Sequence, residues 1–82
     1  MAIFMGVHKV PDGMTEEEAQ AGYTKYKESA MKSGLKPLGA VVSIEKGFAY
    51  CQTEAGSANE VREAHSVAQI PLEDVVEIKI LQ

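Results

Sequence analysis

A single cysteine in 82 residues excludes an internal disulfide and a four-cysteine zinc or iron–sulfur site. It also gives no sign of a secreted domain stapled by bridges. Positive charge is scarce: eight basic residues face twelve acidic ones, for a net charge of −4. A nucleic-acid binder needs a basic face, and an anionic membrane surface needs one too, so neither partner is expected. No run approaches the ~18 continuous apolar residues of a membrane span. The opening MAIFMGVHKV carries neither a basic leader nor a cleavage site, so no signal peptide is expected and the cytoplasm is the expected location. The glycines are scattered singly, which leaves no phosphate-cradling loop. What remains is one small domain over residues 1–82. Its 45% apolar content is enough to fold, but a chain this short leaves apolar surface uncovered, and a homodimer is expected.

The elements read off in order. Ala2 to Lys9 alternates as a strand, with Ile3, Met5 and Val7 expected towards the core and Phe4 and His8 on the other side. Pro11-Asp12-Gly13 breaks it. Thr15 with Glu18 forms a capping box for a helix whose buried stripe is Ala19, Tyr23, Tyr26 and Ala30. Gly34 suits the position after its end, and Pro37 prevents its resumption. Leu38 to Ile44 and Phe48 to Glu54 make a hairpin around Glu45-Lys46-Gly47. Ser57 with Glu60 opens a second helix, with Ala58, Val61, Ala64, His65 and Ala68 on one face, and Val75 to Leu81 closes the chain as a strand with Val76, Ile78 and Ile80 inward. The order β-α-β-β-α-β predicts an α+β, ferredoxin-like sandwich: a four-stranded antiparallel sheet with both helices on one face. The opposite face would carry Phe4, His8, Phe48, Tyr50 and Glu54. A second subunit closing over that face would give a dimeric α/β barrel.

Two clusters carry chemistry. The first and third strands are expected to be parallel neighbours, with both helices starting at the same edge, so His8 and Glu54 share a rim, as an acid–base pair with Tyr50 as a further donor, or as a plain rim hydrogen bond. His65 lies roughly 12 Å along its helix and Cys51 about 10 Å back along its strand. These two therefore share a level, with Tyr23 beside them. Imidazole and thiolate suit nickel, copper or zinc. The same residues also serve as a small buried hydrophobe and a boundary histidine. On this placement His8 stands apart from Cys51 and His65.

The blocks Phe4-Met5-Gly6-Val7-His8, Ala49-Tyr50-Cys51-Gln52-Thr53-Glu54-Ala55 and Ser57 to His65 resemble a family of small bacterial proteins of unknown function. Its described members are nickel-binding, ferredoxin-like dimers. The resemblance spans essentially the whole chain. It implies a nickel ion, or another divalent transition metal, on His65 and Cys51, joined by His8 or by groups of a second subunit. The family tends to carry a histidine and, three residues on, an aspartate in the first helix, where Tyr23 and Tyr26 stand here. Two phenol rings at those positions shape a pocket for an organic ligand, or fill it. Besides metal binding without catalysis, two alternatives stand. One is a cofactor-independent small-molecule enzyme or binder with His8, Tyr50, Glu54 and Phe4 facing a pocket between sheets. The other is an interaction domain without metal.

Overall fold

A computed structural model describes all of residues 1–82. The elements follow as β1 (Ala2–Lys9), α1 (Glu16–Lys32), β2 (Lys36–Ser43), β3 (Phe48–Ala55), α2 (Ala58–Ala68) and β4 (Asp74–Ile78). The four strands form one sheet in the order β2-β3-β1-β4, and every neighbouring pair is antiparallel. Both helices pack on one face, giving the ferredoxin-like fold that the element order predicts.

Local chemistry sets the boundaries. The Thr15 side chain accepts from the Glu18 amide at 3.1 Å while Glu18 returns a bond to the Thr15 amide at 3.0 Å. Three glutamates in the first turn of α1 face the positive end of its dipole. Gly34 follows the end of α1 at φ +80°, a left-handed backbone that a side chain would strain. On α2, Ser57 accepts from the Glu60 amide at 3.3 Å. The helix ends at Gln69 in the left-handed region, φ 60°, and the Ile70 amide then donates to the His65 carbonyl at 2.9 Å.

The strand directions correct one expectation. The tight hairpin makes β3 antiparallel to β2, and β2 is parallel to β1 through the α1 crossover. So β3 is antiparallel to β1, with His8 opposite Ala49 and Ile3 opposite Glu54. His8 and Glu54 therefore sit at opposite ends of the sheet. Glu54 pairs instead with Lys36 at 3.7 Å. The two helices likewise start at opposite ends.

The faces correct a second. On β3, Cys51, Thr53 and Ala55 are buried under the helices, as the alternation predicts, and Phe48, Tyr50 and Glu54 lie on the outer face. On β1 the reading is one residue out of step: Phe4 is in the core at 6% exposure, and Phe4, Gly6 and His8 face the helices while Ile3, Met5 and Val7 face out. On β4, Val75 is buried at 6% and Val76 is 37% exposed. Both strands are apolar on successive residues, so alternation alone does not say which side is inside. Ile80 is exposed beyond the strand rather than inside it: Ile78 already pairs with Ile3, and β1 offers little backbone beyond.

The core joins Phe4, Tyr26, Ala30, Leu35, Cys51, Ala55, Val61, Ala64 and Val75. A buried bond from Ser29 Oγ to the Ala64 carbonyl, 2.8 Å, ties α1 to α2. The capping box is exposed, so its loss acts on α1 alone. Thr15→Ala is expected to lower stability by about 1 kcal/mol, read as a reduced denaturation midpoint at unchanged slope.

Candidate metal centre

His65 is the eighth residue of α2 and falls on the stripe of Val61, Ala64 and Ala68, at 1% exposure. Helical spacing points that stripe at the sheet. Cys51, 3% exposed, rises from β3 directly beneath. Because β1 pairs with β3 in the observed register, Gly6 lies beside Cys51 and His8 lies two residues on, opposite Ala49. Cys51 Sγ is 3.4 Å from His65 Nε2 and 3.4 Å from His8 Nε2. The three donor atoms lie within 4.8 Å of one another. One chain thus brings both histidines to one cysteine, contrary to the expectation that His8 stands apart.

The backbone fixes the two imidazoles. His65 Nδ1 is 2.8 Å from the Val61 carbonyl, and His8 Nδ1 is 2.8 Å from the Pro71 carbonyl. A carbonyl only accepts, so each Nδ1 carries the proton and donates it. In a neutral imidazole each Nε2 then presents a lone pair, and both lone pairs are directed to the same sulfur. The Pro71 carbonyl is placed by the turn that ends α2, so the loop that terminates the His65 helix also orients His8.

Tyr26 completes the setting. Its ring stacks on His65 with centroids 3.8 Å apart and planes 21° apart, and its hydroxyl bonds Thr53 Oγ1 at 2.6 Å. Tyr23 lies alongside, 6.4 Å from Tyr26. Burial shapes the protonation states. Desolvation pushes the Cys51 thiol up to about 11 and Tyr26 up to about 12. Tyr23 is raised, again by desolvation first. His65 is lowered to about 4 by desolvation, against the bond it donates to the Val61 carbonyl. Cys51 and His65 therefore rest as a neutral thiol beside a neutral imidazole, with no buried polar side-chain atom left unpaired.

A cavity of about 440 Å³ opens beside the group, lined by His8, Cys51 and His65 together with Met14, Ala19, Tyr23 and Ile70. Of the residues expected at a pocket, Tyr23, Tyr26 and Tyr50 line this cavity, whereas Phe4 is core and Glu54 is in its ion pair. Tyr50 stacks with Phe48 on β3, centroids 4.9 Å apart. The trio His8, Tyr50 and Glu54 is not assembled, because the sheet separates His8 from Glu54. Nothing in the residue types marks the carbonyls of Val61 and Pro71 or the bond between Tyr26 and Thr53. Backbone acceptors carry no residue-type signal.

Two imidazoles and a thiol form a donor set for first-row transition metals. Histidines that bind metal through one nitrogen almost always donate from the other to a carbonyl, carboxylate or water, and both histidines here do so. The fold and this group define a class: a ferredoxin-like chain with a buried His–Cys–His cluster beside an open cavity. A family model described as nickel responsive protein SCO4226-like matches residues 4–78, and the chain belongs to that family. Among solved structures it is similar to SCO4226 from Streptomyces coelicolor A3(2), with a TM-score of 0.87 and 22% identity over 99% of this chain and 100% of that one. At that identity the likeness is one of fold. No curated protein matches the chain.

The lowered His65 has a consequence for stability. The unfolded chain takes up this proton as pH falls through 6.5, whereas the folded chain resists until about 4. The contribution is intact above pH 6.5 and is lost as pH falls towards 4. Denaturant midpoints of the metal-free protein should fall across that window, and the difference from His65→Leu should isolate this slope. A pH-independent difference would contradict the buried neutral imidazole.

Proposed function

We propose that the chain is a binding protein for a divalent transition metal, nickel in particular, with His8, Cys51 and His65 as its ligands. The observation that carries this is the locked pair of imidazoles: each commits Nδ1 to a carbonyl and turns Nε2 to the cysteine sulfur. The family description adds nickel. Cys51 loses its proton when metal is held, while His65 is already neutral. A bound ion would act as a Lewis acid beside the cavity. Nothing in the chain's own groups requires a reaction, and the reading is one of binding. A thiol that must stay reduced to serve as ligand suits the cytoplasm.

Nickel titration of the metal-free chain is the test. Saturation at one ion per chain is expected. Cys51→Ala and His65→Ala should each weaken binding by more than the roughly 10–100-fold that loss of an outer partner alone costs. His8→Ala should do the same. Equal affinity in all four proteins would remove the assignment.

A second reading has one observation in its favour. The cavity beside the group, about 440 Å³, lies in the range of small-molecule sites, and Tyr23 forms part of its wall. An organic ligand there would meet the two imidazoles together with apolar side chains such as Met14 and Ile70 and the polar Glu16, Glu18 and Gln20.

We further infer that two copies pair through the outer face of the sheet. Ile3, Met5, Val7, Phe48, Tyr50 and Val76 lie there, and no helix of the chain covers them. Light scattering should give twice the 8.9 kDa chain mass. Met5→Glu, at the centre of the face, should give the single mass. A monomer at all concentrations would contradict the pairing.

A further inference from the structure

Gly6 stands in the middle of β1, a central strand, paired with Cys51 on one side and Val75 on the other. Glycine weakens a strand interior, and where it occurs it marks a bend or a close approach. Its backbone is not in the left-handed region, unlike Gly13, Gly34, Gly39 and Gly47. Conformation therefore does not call for glycine here; space does. A β-carbon at this position would lie 2.7 Å from Cys51 Sγ, 3.3 Å from His65 Cε1 and 3.2 Å from Leu72 Cδ2.

The first of these contacts matters most. A cysteine sulfur moves by one torsion, between wells about 120° apart. It has no small retreat that keeps both 3.4 Å approaches to the imidazoles. A methyl group on β1 would turn the sulfur away from the two Nε2 atoms or push the strand from the helices. We propose that Gly6 is a positioning residue for the His8–Cys51–His65 centre: its bare α-carbon leaves the space in which the sulfur sits between the two imidazoles. In its consequence for metal affinity the proposal rests on the metal-binding reading. In its consequence for packing it stands without it.

Two measurements on Gly6→Ala test it. In the metal-free protein the substitution should lower the melting temperature by about 5–15 °C, as overpacking of a small domain does. It should cost much less in a Cys51→Ala background, where the sulfur is gone. That difference reports the contact with Cys51, which general crowding of β1 would not produce. If Gly6→Ala alone fails to fold, recovery of the fold in the double variant carries the same information. With nickel, Gly6→Ala should bind roughly 10–100-fold more weakly than the unaltered chain, with the thiolate-to-nickel absorption reduced or shifted. Equal thermal cost in both backgrounds overturns the proposal, as does a nickel complex unchanged in affinity and absorption. If the unaltered chain shows no nickel complex, the metal-binding reading falls, and the thermal comparison still decides whether the space at Gly6 belongs to the sulfur.

Discussion

The structure turns on one sulfur atom placed between two imidazole nitrogens. Burying a thiol and a histidine almost completely is unfavourable unless their polar atoms find partners. Here the partners are mutual. The thiol faces two acceptor nitrogens, and each imidazole gives its remaining proton to a carbonyl. Removing Cys51 leaves the buried His65 Nε2 without a partner, which makes the cluster a constraint on the whole sheet–helix arrangement. The β1–β3 register brings His8 to Cys51, the packing of α2 brings His65, and the turn after α2 supplies the carbonyl that holds His8.

The same arrangement explains why Cys51 and His65 rest neutral. Desolvation opposes charge on both the thiol and His65. Metal binding as proposed would reverse that preference at Cys51. The site is thus prepared as a donor set, with its orientation fixed by backbone bonds formed on folding. Its opening towards the cavity distinguishes it from a closed structural site.

Much of this was legible in the sequence. Element order and the Thr15 capping box announce the ferredoxin-like fold. Alternation along β3 puts Cys51 inside, and helical spacing puts His65 on the buried face of α2. The meeting of these two follows from strand and helix rises alone. His8 was placed wrongly for two physical reasons. β1 is apolar on both faces, so its alternation does not choose the side that the helices cover. The hairpin between β2 and β3 also reverses β3 relative to β1, which moves Glu54 to the far end. Gly6 held the missing information, since a glycine inside a central strand signals a close approach at the level of Cys51. The carbonyls of Val61 and Pro71 were beyond reach, because every residue offers one and only the fold selects which is used.

The geometry gathers His8, Cys51 and His65 within 4.8 Å, in a chain whose family is described as nickel responsive. The tyrosines of α1 are accounted for by packing: Tyr26 stacks on His65 and bonds Thr53, so it buttresses that imidazole. The account's central claim is that one chain offers a sulfur and two imidazoles to one ion. X-ray absorption at the nickel edge of the stoichiometric complex tests it most directly. A spectrum fitted by one sulfur and two imidazole scatterers per nickel is predicted. A shell of oxygen and nitrogen alone, with no sulfur, would contradict it.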